Sequence, residues 1–356
     1  MEGVNFEDRK CPNSGELLQE FRNSKLKVLV TGAAGFVGSH VCKKLAELSV
    51  EFHGIDSFSN YYSVDYKKIR LSALKLENCI ELCDISNFEQ INGAITKFKP
   101  SYVLNLAAQA GVRLDLAHSD SYIESNVKGF QNIIRSCIEN NVEGILYASS
   151  SSVYGDATPT PYKENSISLR PKSVYGTTKL ANELFAEIQA NSSKLRFRGL
   201  RYFTVYGPWG RPDMAYFRIA AAALGQGTFT LFGDGTIKRD FTFIDDVVNN
   251  SLALLEDLSF RKEGFNDIVN IGGSRPLEMN YLMDVISQKG DFRIDINKIK
   301  GNKLDSLITM ADNSYLKSIL GDLKFTDLEE GIERLMNWAK DERIKPRLLG
   351  WVQSTV

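Results

Sequence analysis

The sequence predicts a doubly wound α/β fold, a parallel sheet wrapped by helices on both faces, with a smaller lobe contributed mainly by the C-terminal third. Three observations predict it. Short apolar runs alternate with amphipathic stretches from Lys25 to Tyr202, the pattern of successive β–α–β units. A glycine-rich turn, Gly32-Ala33-Ala34-Gly35-Phe36-Val37-Gly38, follows the first apolar run directly and opens the first amphipathic stretch. Beyond Tyr202 the alternation gives way to Gly- and Pro-rich loops and isolated helical segments.

The elements follow in order. Residues 1–24 precede the repeating pattern and hold a loop cluster, Pro12 to Gly15,. Lys27-Val28-Leu29-Val30 reads as the first strand and Phe36 to Leu48 as the first helix. Further strands are expected at Phe52–Ile55, Ile80–Leu82, Tyr102–Leu106, Gly144–Ala148 and Arg196–Leu200, with long helices at Ser121–Asn140 and Ser173–Ala190,. Residues 25–200 thus form the expected dinucleotide-binding domain, to which segments near 236–272, including Ile268–Ile271, return. Residues 201–345 form mainly a substrate-binding lobe.

Composition narrows the function. The chain has 356 residues, 43% of them hydrophobic and 24% charged, which is ordinary for a water-soluble globular protein,. Lys plus Arg number 43 against 44 Asp plus Glu, a net charge of -1. That balance gives no general attraction to nucleic acid or to an anionic membrane, so neither is an expected partner. No apolar run approaches the ~20 residues of a membrane span, and Met1 to Lys25 lacks a signal-peptide core. An odd count of five cysteines in a chain of this size fits free thiols in a reducing cytoplasm,. Cys79 and Cys83 have no second ligand pair after them, so no metal site is expected.

The glycine turn has a physical reading. The chain must turn tightly, bring backbone N–H groups against a diphosphate and pack a helix on a strand, and glycine serves all three needs. Asp56 ends the second strand, where a carboxylate accepts the hydroxyls of an adenosine ribose and repels a 2′-phosphate; the expected cofactor is therefore NAD and not NADP. Further along, Tyr175 and Lys179 are spaced i, i+4 in a helical stretch, so phenol and ammonium share one face. A nearby cation favours the phenolate of a tyrosine that is otherwise a weak base at neutral pH. Ser149-Ser150-Ser151-Ser152 leaves the fifth strand at its carboxyl end, where open α/β sheets bind ligands,.

These features resemble the extended short-chain dehydrogenase/reductases over roughly residues 25–340, and within them the UDP-glucuronate 4-epimerases. The residues that carry the resemblance are Asn105 to Arg113, Ser149 to Gly155, Tyr175 to Lys179, Arg201 to Phe217 and Lys238 to Val247. The resemblance implies a Rossmann-like domain binding NAD through Gly32, Gly35, Phe36, Val37, Gly38 and Asp56. It also implies adenine contacts from Asp84 and Ile85, and cofactor contacts from Leu106, Ala107, Ala108, Tyr175, Lys179 and Tyr202. Ser150 takes the position of the catalytic hydroxyl, beside Tyr175 and Lys179. Arg113, Ser151, Ser152, Thr204 and Arg211 are implied around the sugar, and Arg239 at the substrate diphosphate. A homodimer through the helices at Ser121–Asn140 and Ser173–Ala190 is implied as well. Two departures stand out: the N-terminal extension, and Gly176 where alanine is more usual.

The implied reaction is NAD-dependent 4-epimerisation of a UDP-sugar, UDP-glucuronate to UDP-galacturonate, through a 4-keto intermediate. Related dehydratases and decarboxylases carry acidic side chains just after the catalytic hydroxyl; here those positions are Ser151 and Ser152, so elimination lacks its acid/base,. A 4-epimerase for UDP-glucose, UDP-N-acetylglucosamine or its uronate stays open at this stage, as does a non-catalytic nucleotide-sugar-binding homologue.

Overall fold

Seven parallel strands form the central sheet in a computed structural model of the chain, which describes residues 26–111, 119–225, 227–290, 293–301 and 306–353. Arg113 and the N-terminal extension lie outside the described residues. The strands are β1 (Lys27–Thr31), β2 (Glu51–Asp56), β3 (Ile80–Leu82), β4 (Tyr102–Asn105), β5 (Gly144–Ser150), β6 (Arg196–Tyr202), β7 (Thr204–Tyr206), β8 (Thr228–Phe232), β9 (Lys238–Phe243), β10 (Asn266–Ile271), β11 (Pro276–Glu278) and β12 (Asp295–Ile299). The central sheet runs in the order β10-β6-β5-β4-β1-β2-β3. The expected return of Ile268–Ile271 is seen: β10 pairs with β6, Ile268 opposite Gly199.

Six helices matter for the site: α1 (Phe36–Glu47), α2 (Val64–Ala73), α3 (Phe88–Phe98), α4 (Ser119–Tyr122), α5 (Gly129–Glu139) and α6 (Val174–Ser192). Side chains of a strand alternate between faces, and the core follows that rule. Leu29, Val103, Ile145 and Phe197 pack with Ile91 and Ile95 of α3, Phe130 and Ile133 of α5 and Ala186 of α6. Val28, Val30, Leu104 and Leu146 face the other way, against Val41 and Leu45 of α1 and Tyr66 of α2. Both faces are covered, which is why these strands read as continuous apolar runs rather than alternating ones.

The strand order reverses between β1 and β4, and ligands of such sheets bind outside the strand ends at that point. The gap is held by Thr31, whose hydroxyl donates to Asn105 Oδ1 (2.6 Å) and accepts from the Ala107 N–H (3.1 Å). The chain beyond Asn105 therefore leaves the sheet, and the fourth strand stops one residue short of the expectation.

The helix expected over Ser121–Asn140 is not uniform. Between α4 and α5, Ile123–Lys128 forms a π-helical turn, a local widening that recurs at functional sites. It places the Asn126 side chain in the interior, where it accepts from the Gln109 N–H (2.8 Å) and donates to the Gln109 carbonyl (3.1 Å) and Thr178 Oγ1 (3.0 Å). Asn182 Nδ2 of α6 donates to the Asn126 carbonyl at 2.7 Å. Beyond Tyr202 the structure adds strands to the expected loops, isolated helices and returning segment. Two small sheets occur there, β11-β9-β7 and β12-β8. Their strands are short and find partners far along the chain, as Thr204 opposite Phe241 shows, so no local pattern announces them.

No helix among the described residues is long and apolar enough to cross a membrane. Among them no group of three or more His, Cys, Asp or Glu side chains is placed to hold a metal. Cys42, Cys79, Cys83 and Cys137 are free thiols. Ile123, Ile138, Leu184 and Ile188 are left exposed on the π turn, α5 and α6.

Candidate active site

The glycine turn between β1 and α1 is shaped by close backbone approach. Gly32 has φ +67°, and a Cβ there would stand 2.7 Å from Ala107 N, a conformation and spacing that only glycine meets without strain. A Cβ at Gly38 would stand 2.1 Å from the Gly32 carbonyl, so glycine lets α1 seat directly on the turn. The Ala34 peptide between them is fixed by Asp56 at the end of β2. Its carboxylate accepts from the Ala34 N–H (3.0 Å) and the Phe58 N–H (2.7 Å) and is almost wholly buried. A carboxylate offers about four acceptor sites, so two remain for ribose hydroxyls.

A cleft of about 260 Å³ runs from this turn across the carboxyl ends of the strands. Gly32, Gly35, Phe36, Val37, Gly38, Asp56, Asp84, Ile85, Leu106, Ala107, Ala108, Ser150, Tyr175, Lys179, Tyr202 and Arg211 all line it. One cation at its adenosine end was not foreseen. Lys67 of α2 lines the cleft, donates to the Ser59 carbonyl at 2.7 Å, and has its pKa lowered by burial against the opposing pull of Asp56. No motif marks it; only the packing of α2 against the loop after β2 brings it in.

At the other end, β5 delivers the serines and α6 the tyrosine and lysine. Ser173 caps α6 by accepting from the Gly176 N–H at 3.1 Å, as a serine before a helix does. This places Tyr175 in the first turn and Lys179 one turn on. Lys179 Nζ donates to the Ala148 carbonyl at 2.8 Å and lies 5.8 Å from the centre of the Tyr175 ring. Burial lowers the Lys179 pKa from 10.5 to about 8. Burial raises that of Tyr175, while the Arg211 charge and a hydrogen bond with Ser150 pull it back down. Ser150 Oγ accepts from the Ser152 N–H at 3.1 Å. A Cβ at Gly176 would stand 2.6 Å from the Ser152 carbonyl, so the departure from alanine lets the serine loop lie directly on the catalytic helix. Beneath, Glu183 of α6 accepts from Ser149 Oγ and is gripped by Arg201 of β6 at 2.9 and 2.8 Å, locking β5, β6 and α6 together.

Arg211 reaches the cleft from the loop after β7. Asp213 holds it in a two-pronged pair, Nε at 3.0 Å and Nη2 at 2.6 Å, and Tyr61 donates to the same carboxylate at 3.2 Å. Burial opposes the guanidinium charge, but Asp213, then Tyr61 and Tyr175, keep its pKa above the ordinary arginine value. Asp213 and Tyr61 carried no signal of their own in the sequence. Ser151, Ser152 and Thr204 do not line the cleft, although Phe203 and Val205 on either side of Thr204 do. Arg239 does not line it either; it stands on β9 and donates to the carbonyls of Lys238 (3.0 Å) and Ser306 (2.6 Å).

With this geometry in hand, comparison with known proteins is decisive. Residues 28–272 match the NAD dependent epimerase/dehydratase family. The chain belongs to that family. UDP-glucuronate 4-epimerase 4 of Arabidopsis thaliana is 36% identical over 331 residues, 89% of this chain and 76% of that one. UDP-glucuronate 4-epimerase of Thermodesulfobacterium geofontis is 34% identical over 316 residues, 88% of this chain and 96% of that one. A crystal structure of UDP-glucuronic acid 4-epimerase from Bacillus cereus, in complex with UDP-glucuronic acid and NAD, matches with a TM-score of 0.81 at 30% identity over 88% of this chain and 99% of that one.

The residues present fit the NAD of this family. The turn of Gly32 to Gly38 is a cradle that side chains would fill, and helix N-termini of this kind favour a diphosphate. Asp56 has acceptor capacity at the ribose end, and Lys179 is a buried donor at the other.

Proposed function

We propose that this enzyme interconverts UDP-glucuronate and UDP-galacturonate by epimerisation at carbon 4. The observation that carries the sugar assignment is Arg211, a charged guanidinium lining the same cleft as Ser150 and Tyr175. Planar guanidinium and carboxylate match in shape and charge. The UDP-glucuronate 4-epimerases among its relatives support the reading.

When bound, NAD supplies the hydride acceptor and donor for carbon 4. Tyr175 takes the proton of the 4-hydroxyl and returns it after the sugar has presented its other face. Ser150 shares that proton and orients the hydroxyl. Lys179 supports the phenolate and holds the nicotinamide ribose. The 4-keto uronate is a β-keto acid, which loses carbon dioxide when its carboxylate stands perpendicular to the ketone. Arg211 holds the carboxylate away from that alignment. Thr204, Arg113, Ser151 and Ser152 are proposed around the sugar and Arg239 at the substrate diphosphate, with the segments after Tyr202 forming the substrate-binding lobe.

We assign the active form to a homodimer, supported by the exposed Ile123, Ile138, Leu184 and Ile188 on the π turn, α5 and α6,. A reducing cytoplasm is the proposed compartment, in keeping with the free thiols.

Proton NMR of the enzyme incubated with UDP-glucuronate and, separately, UDP-N-acetylglucosamine tests the assignment. Appearance of UDP-galacturonate signals in the first sample is expected; turnover of the N-acetyl sugar alone would refute the uronate reading. Arg211→Ala should then cost UDP-glucuronate about 2–5 kcal/mol of binding, the usual effect of orphaning a buried charge, and leave UDP-glucose binding nearly unchanged.

A further inference from the structure

Arg70 of α2 is fully buried, and among the described residues no carboxylate pairs with it. Arginine does not shed its charge in a protein interior, and a buried unpaired charge is costly, so the position calls for a cause. The local contacts supply part of it. The guanidinium carbon lies 4.7 Å from the Tyr66 ring centre and 5.7 Å from that of Tyr62, and Nη1 donates to Tyr62 Oη at 3.0 Å. Burial works against the charge, but these tyrosines hold it,. Nε has no hydrogen-bond partner.

The remaining contacts are to two loops of the active site. Nη1 donates to the Ala34 carbonyl at 2.7 Å, inside the glycine turn. Nη2 reaches the Gly210 carbonyl at 3.4 Å, and Tyr66 Oη donates to that same oxygen at 2.7 Å. Gly210 immediately precedes Arg211. Ala34 is thus held at both of its peptide groups, its N–H by Asp56 and its C=O by Arg70. The second loop needs holding independently of this. Trp209 has φ +61°, a left-handed conformation that is rare for a bulky residue and persists only where surroundings enforce it. A Cβ at Gly210 would stand 1.9 Å from Tyr216 Oη, so the loop packs against Tyr216 too closely for any side chain there.

We propose that Arg70 is a positioning residue that ties the dinucleotide turn to the loop bearing Arg211. Its buried charge is held for the diphosphate that the turn binds, and cofactor binding through Ala34 steadies the Trp209-Gly210-Arg211 segment. The proposal rests on the NAD reading of the cleft and is independent of which sugar is used.

The test compares wild type, Arg70→Met and Arg70→Lys by two readouts. One is the NAD dissociation constant by intrinsic fluorescence titration after the cofactor is stripped. The other is hydrogen exchange of the peptide covering residues 207–214 with and without NAD. Wild type is expected to bind NAD and to protect that peptide when it does; a wild type that binds no NAD would sink the cofactor reading itself. Arg70→Met is expected to weaken NAD by about tenfold, within the usual range of linkage between coupled sites, and to lose the NAD-dependent protection. Arg70→Lys keeps a charge but cannot span both carbonyls, so it should recover NAD affinity in part and leave the peptide unprotected. It also serves where Arg70→Met gives no cooperative melt. A folded Arg70 variant with wild-type NAD affinity and undiminished protection overturns the proposal.

Discussion

Replacing Lys179 with Met removes a buried cation and keeps most of its volume, and the structure sets two opposite expectations for activity and stability. Lys179 Nζ lies 5.8 Å from the Tyr175 ring centre. At an effective dielectric of ~20, a charge at that distance stabilises a phenolate by about 3 kcal/mol, or about two pKa units. In wild type burial lowers the Lys179 pKa to about 8, so at neutral pH the ammonium is present beside the phenol. In Lys179→Met the burial that raises the Tyr175 pKa is opposed by Arg211 and Ser150 alone, without the ammonium. The ascending limb of log(kcat/KM) against pH, set by loss of the Tyr175 proton, should then move up by about two units, with an about 100-fold loss at pH 7 that recovers as pH rises. Because Lys179 is also proposed to hold the nicotinamide ribose, the profile is measured at saturating NAD.

Stability should go the other way. The unfolded lysine keeps its proton to about 10.5 and the folded one only to about 8. Between those values the unfolded state binds more protons, so stability rises with pH there, and below pH 8 the folded protein carries the whole burial cost. The shift corresponds to about 3 kcal/mol, offset by about 1–2 kcal/mol for the lost hydrogen bond to Ala148. Lys179→Met should therefore melt no lower than wild type at pH 7, and its relative advantage should shrink by pH 10. A variant that melts lower at pH 7 by a margin independent of pH, or whose ascending limb stays where the wild-type limb lies, refutes the electrostatic role and leaves Lys179 a packing residue.

Three more outcomes are expected. Tyr175→Phe keeps the ring and removes the proton carrier, so turnover should fall by at least ~100-fold with UDP-glucuronate still bound by calorimetry. Asp56→Ala removes the anion facing the ribose and should weaken NAD while narrowing its advantage over NADP in a titration of stripped enzyme; equal wild-type affinity for both cofactors would overturn the assignment. Wild type is expected to run as a dimer by light scattering, and Ile188→Lys, which places a charge on the exposed face of α6, as a folded monomer.

The parts of the site that the sequence announced are those written locally. Gly32 to Gly38 lies within two turns of chain, and Tyr175 and Lys179 are one helical turn apart, so period and glycine placement carried them. What stayed hidden depends on residues that meet only in three dimensions. Tyr61 and Asp213 are 152 positions apart, and Arg70 and Gly210 are 140 apart; neither pair sits in a recurring spacing. The short strands β7, β9 and β11 were missed for the same reason, since three to six residues carry little period and each pairs with a distant partner. Lys67 illustrates a subtler limit. A lysine in an amphipathic stretch is usually solvated, and nothing in Val64–Ala73 distinguishes Lys67 from Lys68, yet the former is buried and the latter exposed.

The Arg211–Asp213 pair bears on how one cleft can oxidise a uronate without losing its carboxyl group. A guanidinium presents five N–H donors in one plane. Asp213 occupies the Nε edge and one N–H of Nη2, and Tyr61 fixes Asp213 in turn. The guanidinium plane is therefore set before any substrate arrives, and its remaining donors, chiefly on Nη1, face one direction. A carboxylate received there is held in that plane, and it cannot swing freely to the perpendicular geometry from which carbon dioxide departs. An arginine without such a partner would bind the same anion at a range of angles. Asp213 also offsets the guanidinium charge, so that a sugar carboxylate is gripped without becoming the sole counter-ion of a buried cation, and release after inversion does not leave that cation orphaned. On this reading Asp213, by fixing the plane of Arg211, helps the cleft return its uronate intact.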